Sequence, residues 1–223
     1  MKKMYIVLFV IFFVLAGWSL FSYFFERSIE TPPYTVLEEK DSYEVREYKP
    51  YIKAQVEVEG EYKEALSEGF RILADYIFGN NTKKLDIAMT APVTESSSEK
   101  MSMTAPVSVA EGEVMAMTAP VSAGDEAGKK IISFVMPSKY TLDTLPKPNN
   151  EKVKIVLQPE RKVAVLRFSW YATESKVNKK KEELLSFLKR DGVSPKGSPE
   201  YSGYNAPFSA PWLNRNEVMV EVE

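Results

Sequence analysis

Polar and apolar positions fall into three patterns along this chain. Residues 4–25 read MYIVLFVIFFVLAGWSLFSYFF, without a charge. At ~1.5 Å per residue the run spans roughly 33 Å, enough to cross a ~30 Å hydrocarbon layer. Further on, Ile52, Ala54, Val56 and Val58 alternate with Lys53, Gln55 and Glu57. That period of two predicts a half-buried antiparallel strand over 51–58. Residues 43–48 alternate as well, and Lys49-Pro50 between the two runs is a turn. Over 61–78 the period changes. Tyr62, Ala65, Leu66, Gly69, Phe70, Leu73 and Ile77 recur at helical spacing, predicting a helix with one core-facing stripe that ends at Gly79-Asn80-Asn81.

The same order returns roughly 110 residues later. Val153, Ile155 and Leu157 alternate, Gln158-Pro159-Glu160 turns the chain, and 161–171 is a second strand, denser in apolar residues and so more central. Residues 175–189 form a helix with Val177, Leu184, Leu185 and Leu188 inward, closed by Gly192. Lys179-Lys180-Lys181 lies on that helix as a solvated face. A strand–turn–strand–helix unit occurring twice predicts two related halves packed about a pseudo-dyad.

Charge divides the chain into an anchor and a domain. Lys2 and Lys3 precede the apolar run, while Glu26 and Arg27 follow it and nearly cancel. The positive-inside rule then puts the N-terminus in the cytoplasm and the rest outside. A cleaved signal peptide is the competing reading, with Val14-Leu15-Ala16 as a tolerable site. The apolar run continues past that site, too long for a signal sequence. The expected organisation is therefore a membrane anchor over 1–27, a short Pro-containing tether over 28–33, and a slightly acidic soluble domain over 34–223. The overall balance, Lys+Arg 29 against Asp+Glu 31, argues against a nucleic-acid partner. There is no Cys and no His, which excludes disulfides, thiolate metal sites, imidazole-ligated metal or haem, and Cys or His catalysis.

Residues 87–93 (IAMTAPV), 101–107 (MSMTAPV) and 115–121 (MAMTAPV) are three copies of one heptapeptide, with Met89, Met103 and Met117 spaced by 14. As strands they would share a Met-rich face, with each Pro at a strand end. Three readings of the copies stand. A unit was tandemly duplicated into a surface excursion; or the methionines line a pocket for a flat apolar ligand; or they form a soft site for copper(I).

These heptapeptides resemble those of the SOUL/haem-binding-protein family. So do FVMP at 134–137 leading to LPKP at 145–148, and the ending YNAPFSAPWLNRNEVMVEV over 204–222. The likeness runs from about residue 29 to the end. It implies an α+β fold, a distorted antiparallel β-barrel built from two similar β-β-α-β halves and flanked by two helices, with the N-terminal transmembrane helix added. It also implies haem or another tetrapyrrole as ligand. Without His, iron is left to Met, Tyr, Lys or nothing. The plainer mechanism is apolar burial of the macrocycle with Lys or Arg near the propionates. The first soluble helix is the candidate platform: Leu66, Phe70, Leu73 and Ile77 on its stripe and Lys63 and Arg71 at its edges, with Met89, Met103 and Met117 as further lining. No catalytic motif and no metal signature is present, so a binding protein is expected rather than an enzyme. A generic module for another flat or amphipathic ligand is the first alternative, and a haem-modifying enzyme the second.

Overall fold

The computed structural model describes residues 2–27, 30–82, 107–111, 129–205 and 208–223. The apolar run forms helix α1 (Lys2–Arg27). The domain then builds β1 (Tyr34–Glu39), β2 (Glu44–Tyr48), β3 (Tyr51–Glu59), α2 (Tyr62–Ile77), β4 (Asn81–Thr82), β5 (Val107–Glu111), β6 (Lys129–Val135), β7 (Lys147–Pro148), β8 (Lys154–Gln158), β9 (Arg161–Phe168), α3 (Glu174–Asp191), β10 (Pro195–Gly203), a 3-10 turn (Pro211–Leu213) and β11 (Asn216–Val222).

Nine strands form one antiparallel sheet in the order β1-β2-β9-β11-β10-β5-β6-β3-β8; β4 and β7 make a separate small ladder. The doubled unit is plain in this order. β2, β3, α2, β5 and β6 correspond to β8, β9, α3, β10 and β11. Each half lends its first strand to the other: β2 pairs with β9, and β8 pairs with β3. The halves join where β5 meets β10. There Ser108 faces Ser202, and their hydroxyls are 2.8 Å apart. The pseudo-dyad passes between these two serines.

The barrel expected from the family resemblance is not closed. β1 and β8 stand at opposite edges of the sheet without pairing to each other. At its own edge β1 is short, mostly exposed and interrupted by an irregularity between Val36 and Glu38, as unpaired edges commonly are. The α+β class, the antiparallel pairing and the two soluble helices agree with the sequence reading.

Both helices lie on the same face of the sheet. Ala54, Val56, Leu73, Ile77, Ile132 and Phe134 make the core under α2, and Leu166, Val177, Leu184, Leu188, Val218 and Val220 continue it under α3. α2 comes very close to β6 at Gly69. A methyl group there would stand 2.8 Å from the Ile132 side chain, so glycine is required by proximity rather than by backbone angle. α3 starts at Thr173, whose hydroxyl accepts from the Lys176 N–H, and stops at Gly192 in the left-handed conformation, φ 70°. Leu185, expected inward, is instead more than one-third exposed, because the α3 stripe is narrower than its leucine count.

Candidate functional site

A cleft of about 370 Å³ opens at the edge of the sheet where β3 begins and β6 ends. Its floor is Ile52, Val135 and Met136, and its walls include Pro32, Leu142 and Leu157. The lining follows from the strand pattern. The Met136 N–H donates to the Ile52 carbonyl at 2.8 Å, carrying the β3–β6 ladder one residue beyond β6 and turning the following loop over the cleft. Residues 30–33 close the other side. Pro32 is buried, Glu30 Oε1 accepts the Ser138 N–H at 3.0 Å, and the Pro33 carbonyl accepts the Lys49 N–H at 3.2 Å. Residues 30–33 of the segment read as a tether are therefore part of the wall. Leu142 and Leu157 are 43% and 51% exposed, leaving an apolar mouth.

Polar groups on the lining are Glu30, Thr31, Ser138, Thr141 and two tyrosines. Tyr140 lines it, with Lys139 Nζ 4.7 Å from the ring centroid. Tyr51 lines it from the β3 side and its hydroxyl accepts from Arg161 Nη2 at 3.0 Å; the same nitrogen donates to Glu200 Oε1 at 2.6 Å. Burial pushes the Tyr51 hydroxyl above its ordinary pKa. Nearby on β3, burial lowers the Lys53 ammonium.

On the sheet face turned away from the two soluble helices, opposite in sense to Val45 and Val218, a charge network is buried. Arg46 and Glu217 are 2% and 0% exposed, with Nη1 and Oε2 3.0 Å apart. Arg215 Nε reaches the other Glu217 oxygen at 2.8 Å, and Arg46 Nε reaches Glu44 at 2.7 Å. Burial works against the Arg46 charge, yet the Glu217 carboxylate and the hydrogen bonds to Glu44 and Tyr48 together outweigh it and the pKa rises. This network leaves Arg46 and Glu217 almost without solvent contact.

A family model described as SOUL heme-binding protein matches residues 29–221. The chain belongs to the SOUL haem-binding family. Among curated proteins it is 30% identical to human Heme-binding protein 2 (Homo sapiens) over 199 residues, 85% of this chain and 84% of that protein. Mouse Heme-binding protein 2 (Mus musculus) is 28% identical over 200 residues, 86% and 84% of the two chains. Among solved structures, the crystal structure of the EcmrR C-terminal domain superposes with TM-score 0.56 at 9% identity, over 85% of this chain and 98% of that one. That likeness is one of fold.

Within this SOUL domain the residues picked from the sequence separate. On α2, Leu73 and Ile77 are 0% and 1% exposed and belong wholly to the core. Leu66 and Phe70 are half-buried against that core, with the Phe70 ring 5.2 Å from Phe134. Lys63 and Arg71 are exposed at the helix edge. Met89, Met103 and Met117 lie outside the described residues, as do the heptapeptides apart from Val107, the first residue of β5. Met136, Tyr140 and Leu142 were not singled out as ligand contacts. The FVMP and LPKP motifs that bracket them were the available signal, since they mark a loop that follows a core strand.

Proposed function

We propose that this chain is a membrane-anchored binding protein for haem or a related tetrapyrrole, holding its ligand by apolar burial without histidine. The observation that carries the reading is membership of a haem-binding family across residues 29–221 in a chain with no His and no Cys. The cleft fits such a group in kind. A porphyrin is flat and apolar with two carboxylates, and the cleft is mostly apolar, open, and within the ~300–1,000 Å³ range of small-molecule sites. Ile52, Leu142 and Leu157 would cover the macrocycle, Tyr51 and Tyr140 would flank it, and Lys139 would meet a propionate. The residues of iron-ligating type on the lining are Met136, Tyr51 and Tyr140. None is required by this reading, because burial does not distinguish a metallated ring from a free one.

The anchor is α1. Its Lys2–Phe25 stretch is long and apolar enough to cross a membrane, and none of its most apolar window is buried by the domain. The charges at its two ends favour a cytoplasmic N-terminus and an extracytoplasmic domain. The intact mass of the chain recovered from membranes checks this; a mature start near Gly17 would overturn it.

The ligand test is a paired titration of the full chain in detergent with haemin and with metal-free protoporphyrin. Both should bind with similar affinity. Leu142→Glu combined with Leu157→Glu should weaken both at least tenfold, about 1.4 kcal/mol. Binding of haemin alone, with a ligation-type Soret shift, defeats the unligated mechanism. Loss of binding on charge reversal at Lys63 and Arg71, with the leucine pair harmless, moves the ligand to α2. A folded chain that binds neither compound is a module for another flat or amphipathic ligand.

A further inference from the structure

All three tryptophans of the chain stand in one row. Trp18 on α1 meets Trp212 in the 3-10 turn with ring centroids 5.3 Å apart, and Trp212 meets Trp170, just past β9, at 6.4 Å. Phe208 extends the row along α1, 5.0 Å from Phe25 and 6.2 Å from Phe21. Polar groups lock the contact. The Trp18 indole N–H donates to the Phe208 carbonyl at 2.9 Å, the Ala210 N–H donates to Ser22 Oγ at 2.9 Å, and the Trp212 indole N–H donates to Ser19 Oγ at 3.3 Å. Ser22 is completely buried. Ser19 Oγ also donates to the Leu15 carbonyl within α1 at 2.8 Å, so helix and domain together satisfy this serine, as a water-poor setting demands.

Beside this contact, large aromatic rings are left bare. Trp170 is 54% exposed, Tyr171 63% and Phe208 51%. Trp170 also holds a left-handed backbone, φ 71°, the one non-glycine positive φ among the described residues. Its N–H is tied to the Pro211 carbonyl at 2.9 Å and its carbonyl to Asn216 Nδ2 at 2.7 Å. A strained backbone clamped on both sides to present an exposed indole is not explained by core packing.

Depth along α1 identifies the occupant. Trp18 lies about 10 Å along the helix axis from Phe25. If the hydrocarbon layer reaches Phe25, the 208–213 segment sits below its edge. If the layer stopped short of Trp18, residues 4–17 would supply only about 21 Å, less than the ~30 Å needed. Either placement puts the segment inside the bilayer or its interfacial layer, where Trp and Tyr concentrate. Resting on the anchor reading, we propose that Trp170, Tyr171, Phe208 and Trp212 form a face inserted into the membrane interface, with lipid as its partner. The domain then lies against the bilayer instead of swinging on a tether. Its cleft wall at Glu30 stays within roughly 18 Å of Phe25, the reach of five extended residues.

The tryptophan row makes its own probe, because all indole emission comes from this patch. The full chain is reconstituted in phosphatidylcholine vesicles with and without bromine on the acyl chains, as Trp18→Phe and as Trp170→Phe/Trp212→Phe. Bromine should quench both variants strongly, and aqueous iodide should quench neither. If the chain retaining Trp18 alone is quenched by bromine while Trp18→Phe keeps its emission, the anchor stands and the inserted face is wrong. If bromine quenches neither, the anchor reading fails and takes this one with it. Tyr171→Asp, on a ring that is 63% exposed in the otherwise unaltered chain, checks the result without removing a ring packed on α1. It should lower bromine quenching and admit iodide; unchanged quenching by both overturns the proposal.

Discussion

The two halves share one plan and use its free face differently. Counting the register out from Ser108 and Ser202 makes Ser133 on β6 the counterpart of Glu217 on β11. Through β3 and β9 the same count sets Gln158 opposite Arg46. One half therefore buries an Arg–Glu pair where the other places a serine and a glutamine. The pair closes its face to solvent at a desolvation cost that its own geometry must offset. The half with neutral groups keeps an open cleft at its edge. The halves teach that a duplicated scaffold can bury an ion pair in one copy and place neutral groups at the matching positions of the other.

That contrast is easiest to break at its charged end. Glu217→Ala strands Arg46 and part of Arg215 in a buried site and should cost about 3–5 kcal/mol, read by urea unfolding of the full chain in detergent. Ser133→Ala, its counterpart, should cost about 1 kcal/mol or less. Equal losses would mean that the halves do not divide the work as described. Next in size is Gly69→Ala, which drives a methyl group into Ile132 and should cost about 1–3 kcal/mol by the same measurement. α3 has no such close approach at a glycine among the described residues.

The helix caps sharpen the comparison at about 1 kcal/mol. Thr173→Ala should destabilise by that amount, because it removes the hydroxyl that caps α3. Glu61 makes no side-chain cap at the start of α2, so Glu61→Ser should stabilise by a few tenths to about 1 kcal/mol. The smallest effect is at Tyr62. Its hydroxyl is buried with no hydrogen-bond partner among the described residues, and burial pushes it up to about 12 from 10.0. A raised folded-state pKa gives stability that is complete below pH 10 and lost as pH climbs through 12. Tyr62→Phe should therefore be neutral or slightly stabilising at pH 7 and should shift alkaline unfolding upward. An unchanged alkaline midpoint would show that another group governs it.

Legibility followed the pattern that each element carries. β3, β9, α2 and α3 were readable because one buried face imposes a strict period, and Gly79 and Gly192 marked the helix ends. β10 was not. Its residues, PKGSPEYSG, contain two prolines and two glycines and show no apolar alternation over the first half. Its strand state comes from pairing with β11 and β5, with an irregular register between Lys196 and Glu200. β1 was missed for a related reason. It is an edge strand with almost no buried face, so nothing in its sequence records the side that pairs. Lys63 and Arg71 are exposed on α2, while the stripe that made Leu73 and Ile77 attractive as ligand contacts is the same signal that places them in the core.

The amino-acid sequence alone determined the apolar span, the repeated strand–turn–strand–helix unit, the family resemblance and the lack of imidazole. These are local periods and residue counts, and each can be read without knowing what lies opposite. Tertiary structure alone decided that the halves exchange their first strands, that Arg46 meets Glu217 across the sheet, that residues 30–33 wall a cleft, and that Trp18, Trp170 and Trp212 stand together. Each of these joins residues far apart in the chain, and no local pattern records a partner that only folding brings within reach.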